Sequence, residues 1–571
     1  MTRRTYWQSM IGMILLGLII SLTFYLAFVS RYDLGQFGNR PRQTIGSLNQ
    51  YSNEGALLYI TAFGVVFGAY GLGYLLLKPT VRKHRVTTTQ YLWLLVTAVG
   101  FGLAFNLVLL SMYPADAADV YDNIIRGRMA AIFGLNPLKD TPNQEKQDPF
   151  YQFSAWRNVP SAYGPVWEMV AQASVRAVNN SDRNANVVAF KLVGAIGYCI
   201  TTLFIALALF RIAPRRILIG VYLWMWNPLA VYMTAGIGHN DALMATCILG
   251  AVYFVSRRWY VAGTLAAVLG ALVKFIPVLL LPLIVVVAFR TLGWRRWLRY
   301  LAVSGILGGV LVIGAYAPYW HGWETLRTER RALMYTGSVA TVVREFLIPV
   351  LDNAAINASP TSTPVTNALL ANGTIVLIGL AYIGQLVYLW RTPDPSTLNR
   401  VAARLLLVYL LVASLWFHGW YVIWVLPLVA LLEDTPMRRL VMIFSYLVTW
   451  QVLMYNYIIV TTKGGGWLPW GDLVPVTIYM GYAWVYTGWY WLMTWVQKRG
   501  RAADNEQIGR RIGDARQSVQ LSLSEMSDDL GIRYDVLEQY ERGERPLQLD
   551  HGHLIAQRLG LSLDDLLGMK A

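Results

Sequence analysis

Charge is scarce in this sequence. Asp, Glu, Lys and Arg make up 14% of its 571 residues, against about 25% in a water-soluble chain. That scarcity excludes an ordinary cytosolic enzyme, and the 56% hydrophobic content excludes a disordered chain. Cysteine is nearly missing. Cys199 and Cys247 both lie inside apolar runs, too few for a disulfide framework or a cysteine-ligated metal. No glycine-rich phosphate loop follows a strand, since GLGY at 71–74 sits inside an apolar run. The first apolar run lacks a small-residue cleavage site, so MTRRTYWQSM is expected to introduce a retained helix.

What remains is apolar and aromatic. Mean hydropathy is +0.42, and the 22 Trp and 34 Tyr carry rings that favour a membrane–water boundary. Apolar runs recur at 10–30, 55–77, 91–112, 186–210, 217–235, 241–256, 260–273, 275–290, 300–317, 373–390, 402–416, 421–432, 440–458 and 474–496. The expected fold class is an all-α polytopic membrane protein of about 14 spans. The runs 260–273, 275–290 and 421–432 are short for a span, as re-entrant or protein-buried segments would be.

Forty-eight basic against 32 acidic residues leave a formal charge of +16, which the positive-inside rule explains without nucleic acid. With the N-terminus inside, the inner loops collect Arg3 and Arg4; Lys78, Arg82, Lys83 and Arg85; Arg211, Arg215 and Arg216; Arg257 and Arg258; Arg290, Arg295, Arg296 and Arg299; Arg391 and Arg400; Arg438 and Arg439; Lys498, Arg499 and Arg501. The outer loops are then 31–54, 113–185, 318–372 and 459–473, and both termini are cytoplasmic. Near Gln497 the composition turns charged. The expected organisation is a multi-span domain 1–497 with large outer loops 113–185 and 318–372, a linker 498–506, and a small all-α cytoplasmic domain 507–571. From Arg501 onward nine basic residues face thirteen acidic ones, so the positive excess belongs to the preceding part.

The outer loops carry the ionisable residues worth weighing. Residues 116–133 have helical periodicity, with Val120, Ile124, Ile125, Met129 and Ile132 on one face. Such a helix is expected to lie on the outer membrane surface. Asp116 and Asp119 share a face of it; both also suit a helix N-terminus, whose dipole favours acids. In WNPLAVYMTAGIGHNDALM, Pro228 interrupts an apolar run and His239, Asn240 and Asp241 arrive at its outer end. Lys274 sits amid apolar residues, where an unpaired cation costs a few kcal/mol unless it faces a cavity or snorkels. His418, Trp420 and Tyr421 fall at another outer turn. AYAPYWHGWETLRTERR adds His321, Glu324, Arg327, Arg330 and Arg331. Together these describe one outward-facing polar cavity.

DVYDNIIRGRMAAIFGLNP, SAYGPVW at 161–167, the WNPL…GHND run, VKFIPVLLLP and HGWYVIWVLP, in this order over roughly residues 90–460, resemble the polyprenol-phosphate-sugar-dependent glycosyltransferases of the GT-C superfamily. The nearest relatives in that resemblance are bacterial membrane α-mannosyltransferases. It implies a bacterial plasma-membrane hexosyltransferase, inverting, with its active site facing outside. The donor would be a polyprenyl-phosphate hexose, mannose first, and the acceptor a cell-envelope glycan or glycolipid. Such families place an essential Asp in the first large outer loop; Asp119 matches, with Asp116 in reserve. A carboxylate suits the role of general base, and Lys274, Arg126 and Arg128 would hold the donor phosphate. His239, Asn240, Asp241, Tyr163, His418, Trp420 and Tyr421 would bind substrate. A divalent metal could be held by Asp116 and Asp119, though no ligand spacing demands one. Two additional spans precede the catalytic loop, where the superfamily usually has a single one.

LSLSEMSDDLGIRYDVLEQYERGERP in the tail resembles the Cro/C1-type (XRE-like) helix-turn-helix domain. Ser522 and Glu525 form a capping box. The implied contact surface is Arg533, Tyr534 and Gln539, but Asp535 and Glu538 lie on the same segment. DNA readers show a basic face, so a cytoplasmic protein partner is favoured over DNA. Alternative readings of the whole chain are a polytopic transporter or flippase, for which internal repeats would be expected, or a polysaccharide ligase of envelope lipids.

Overall fold

The computed structural model of the chain describes residues 2–38, 44–82, 87–178, 181–326, 334–354, 362–458, 460 and 473–568. Among them there is no β-strand, only the isolated bridges Asp33–Met112 and Thr336–Trp416. The chain divides into two units, Met1–Ala483 and Trp484–Ala571.

Every one of the expected apolar runs falls on a helix, but the helices differ in kind. Eight are long and apolar enough to cross a membrane: Tyr6–Val29, Asn53–Pro79, Thr88–Leu110, Arg183–Ile212, Trp294–Tyr319, Pro364–Arg391, Pro395–Ala413 and Pro436–Tyr457. The run at 217–235 is a pair, Pro214–Met225 and Pro228–Gly236, bent by 54°. Four more, Asp241–Ser256, Tyr260–Val273, Ile276–Leu292 and Gly419–Ala430, are apolar but shorter. The last run opens the helix Leu473–Ser518. Among the described residues, eight helices, or nine with the bent pair, are thus of spanning length and composition, against the expected 14 or so.

The bend has a chemical cause. Pro228 has no N–H and cannot continue the ladder. Asn227 restarts the helix by accepting from the Ala230 N–H, and its amide donates to Ser445 at 2.9 Å. Two tyrosines satisfy carbonyls beside the break: Tyr70 donates to Leu223 O at 2.8 Å and Tyr198 to Trp224 O at 3.0 Å. Broken backbone at this depth survives only where protein supplies such partners. Trp224, Trp226, Tyr222 and Tyr232 are fully buried around it.

The short helices Asp241–Ser256 and Tyr260–Val273 form a hairpin through Arg257 and Arg258, the latter in the left-handed region at φ 60°. Asp241 opens the first and Lys274 caps the second, so the hairpin brings both to one end. Each charge suits its terminus: the acid lies at the positive end of a helix dipole and the cation at a negative end.

The loop 113–185 is built of packed helices. Asp119–Ala131 and Pro165–Val178 run through it. The expected surface helix begins at Asp119 and not at 116. It is also enclosed: residues 120–129 are buried on every side. It therefore does not rest a polar face in water. Its charges are met by protein, as Arg128 pairs with Asp148 at 2.7 Å and Asp122 accepts from Ser154 Oγ and from the Ala155 and Trp156 N–H groups. Trp167 ties the two helices by donating to Asn123 Oδ1 at 3.1 Å.

In the second unit, residues 498–506 are part of the helix Leu473–Ser518 where a linker was expected. Short helices follow at Leu523–Leu530, Tyr534–Glu541, Leu549–Arg558 and Leu563–Leu567. The Ser522–Glu525 capping box forms, and Gly531 ends its helix at φ 63°. The core holds Ile512, Met526, Ile532, Leu537, Tyr540, Ile555, Ala556, Leu559 and Leu566. Leu554 is 42% exposed and lies outside it.

Candidate functional site

A cavity of about 250 Å³ opens in the first unit. Its walls include Asp119, Asp122, Arg126, Tyr163, Lys274 and a run of aromatic rings, Trp156, Trp416, Trp420 and Tyr421, with His418 and Met334. Residues 300 positions apart in sequence thus share one space.

Asp119 stands at the first turn of its helix, one quarter exposed to the cavity. Its Oδ2 lies 3.7 Å from His239 Nδ1. His239 reaches this place through the Gly238 turn, at φ 88°. There a Cβ would crowd Val120 and Lys191, so glycine is required. Burial pushes His239 down to about 4, against the opposing pull of Asp241. Burial likewise lowers His418 to about 3. Both imidazoles are therefore neutral at pH 7. They flank the Trp420 indole at 4.1 Å each, at interplanar angles of 23° and 6°. Neutral rings stack there without placing cations against Asp119.

Lys274 donates to Asp241 Oδ1 at 2.8 Å. The Trp424 indole N–H donates to the same oxygen. The ammonium also lies 4.8 Å from the Tyr421 ring, 5.0 Å from Trp424 and 5.7 Å from Tyr163. Three ring faces and a carboxylate thus stabilise a cation that remains 18% exposed to the cavity. The SAYGPVW segment supplies Tyr163 by docking on the helix end beside Lys274. Gly164 N donates to Val273 O at 3.0 Å, and a Cβ on Gly164 would meet Leu272 O at 2.1 Å.

Arg126 lines the cavity, but its guanidinium is spent on backbone. It donates to the carbonyls of Asp122, Trp156 and Val159 and pairs with Asp122 at 3.6 Å. It therefore clasps the loop that carries Trp156.

Other expected residues lie elsewhere. Asp116 borders a separate, smaller cleft with Thr44 and Tyr121. Neither of its carboxylate oxygens has a well-formed hydrogen bond among the described residues, although the hydroxyls of Tyr232 and Tyr59 act on it. Burial raises it to about 7, with those hydroxyls opposing. Arg128 is buried against Asp148 and the Phe150 ring. Asn240 is buried and is not among the lining residues of the cavity, its amide unpartnered among the described residues. His321 meets Tyr319 O and Thr325, away from the cavity. Arg327, Arg330 and Arg331 lie outside the described residues. No group of three or more His, Cys, Asp or Glu is placed to hold a metal among the described residues. In the second unit Arg533 and Tyr534 are exposed and Gln539 half-buried; Arg533 pairs with Asp535 at 2.9 Å.

Sequence reasoning missed Trp156, Trp416 and Asp122. It also missed Lys191, which is fully buried and donates to the carbonyls of Leu109, Leu110 and Met112 at the end of the helix Thr88–Leu110. A signal was available for Lys191: a lone cation inside the run 186–210, like Lys274. Trp156 and Trp416 look like any interfacial ring until the fold joins their loops.

Residues 14–290, just under half of the chain, match the model of the MptA_B family, described as alpha-(1->6)-mannopyranosyltransferase, N-terminal domain. The matched stretch includes Asp119, His239, Asp241 and Lys274. No curated protein matches the chain.

Proposed function

Taking that similarity to a mannosyltransferase family as premise, together with the multi-pass helical fold, we propose that the protein transfers mannose from a polyprenyl-phosphate donor to a cell-envelope glycan or glycolipid. The observation that carries this reading is Asp119, a partly exposed carboxylate facing a cavity that also holds the buttressed cation Lys274.

Asp119 acts as general base. The acceptor hydroxyl attacks the anomeric carbon, its proton passes to an Asp119 oxygen, and the bond from that carbon to the phosphate oxygen breaks. Attack from the face opposite the leaving phosphate inverts the centre. His239, kept neutral by burial, sets no cation against the Asp119 carboxylate. Lys274 stabilises the charge gathering on the departing lipid phosphate. Asp241 need not follow it, because Trp424 holds the same carboxylate oxygen.

The site works on the extracytoplasmic face. In support, Arg211, Arg257 and Arg290 stand at the ends of their helices remote in sequence from the cavity residues, as the positive-inside rule requires of cytoplasmic ends. The tail is a cytoplasmic helix-turn-helix module that contacts protein, its exposed Arg533 already neutralised by Asp535.

Asp119→Asn is expected to lower transfer from polyprenyl-phosphate mannose by about 10³-fold or more, with membrane insertion and thermal unfolding unchanged. Turnover within a few-fold of the parent protein would remove Asp119 from the reaction.

A further inference from the structure

The cavity has two chemically different poles, joined by a chain of rings. At one pole stands Lys274 with Tyr163, Tyr421 and Trp424. From Tyr421 the rings continue through His418, 5.8 Å away, to Trp416 at 5.1 Å from His418 and on to Trp156 at 5.9 Å. The Trp156–Trp416 pair is the other pole. Its rings meet edge to face at 62°, and both are half-buried in the cavity wall. Asp119 lines the same cavity and joins the ring chain through His239 stacked on Trp420 and Trp420 on His418.

We infer that Trp156 and Trp416 form the acceptor subsite and bind a sugar ring of the acceptor glycan through its C–H faces. This rests on the proposed transfer reaction. The leaving phosphate is an anion and belongs beside the cation. The acceptor sugar is neutral and presents hydroxyls at its rim and C–H groups on its faces, which suits the electron-rich face of an indole. A base that lines the same cavity can take the proton that leaves the acceptor hydroxyl.

Backbone bonds fix the two loops independently of the indoles they carry. Trp156 N–H donates to Asp122 at 3.0 Å and its carbonyl accepts from Arg126 at 3.3 Å. Trp416 lies in a segment paired with residue 336, where Phe417 N–H donates to Thr336 O at 2.9 Å and Thr336 N–H to Leu415 O at 3.3 Å. Two separate loops, one from each half of the unit, thus each present an indole to the same space. Removing either side chain leaves these backbone bonds intact.

The test uses the full chain in detergent, polyprenyl-phosphate mannose as donor and octyl α-mannoside as acceptor. Trp416→Ala and Trp156→Ala should each raise the acceptor KM about tenfold while donor KM stays within about twofold, with Trp416→Phe restoring most of the loss. A rise in donor KM instead, or an unmoved acceptor KM, overturns the assignment. If the parent protein transfers nothing from this donor, the proposed reaction fails. The subsite is then judged alone by calorimetric titration with octyl α-mannoside. Binding by the parent that Trp416→Ala weakens about tenfold supports it; absent or unaltered binding overturns it.

Discussion

Asp116 and Asp119 are three positions apart and end in different chemistry. The helix starts at Asp119, so only that carboxylate turns into the cavity; Asp116 stays in the preceding loop among Tyr59 and Tyr232. Sequence spacing placed both on one helical face, and the later start of the helix separated them. The difference is measurable by pH. Folding raises Asp116 from 3.8 to about 7, so the folded chain keeps a proton that the unfolded chain releases near pH 4. The stability that this proton contributes is full below about pH 4 and is lost as pH rises to about 7. Asp116→Asn should flatten that decline in the unfolding midpoint in detergent. A variant whose midpoint still falls across the same window would place the titrating group elsewhere.

At the scale of elements, charge placement depends on where helices end. The hairpin of two short helices brings Asp241 and Lys274 together because one begins and the other stops at the same level. The apolar runs predicted both helices, but not that they would share a partner. Lys191 does similar work from the middle of a long helix. Its Nζ donates to the carbonyls that end Thr88–Leu110, and its stem lies beneath Gly238. It thereby holds the two segments that deliver Asp119 and His239. Lys191→Met would take this donor from the Leu110 and Met112 carbonyls, at about 1–3 kcal/mol each, while Leu109 O keeps the Met112 N–H. We expect a lower unfolding midpoint and slower transfer with donor KM little changed. A midpoint equal to that of the parent protein would show that the carbonyls do not need the lysine.

At the scale of the molecule, the residues proposed for transfer lie between Asp119 and Tyr421 and within the first unit. A chain ending at Ser518 should therefore transfer mannose within about twofold of the full protein; loss of transfer would tie the tail to catalysis. The helical class, the positions of the apolar runs, the broken helix at Pro228 and the tail's capping box were all legible in the sequence, because hydrophobic period, proline and short-range capping act over a few residues. Asp119, His239 and Lys274 also stand out in the sequence, as ionisable residues beside apolar runs, whereas Tyr163 is singled out only by the family resemblance. Tertiary structure alone decided which of them meet. It placed Arg126 and Arg128 on backbone and Asp148, enclosed a helix expected at a surface, and set Trp156 against Trp416. Those outcomes depend on contacts between segments hundreds of residues apart, where the partner that satisfies a buried charge or completes a cavity wall is chosen by packing and leaves no local trace in the chain.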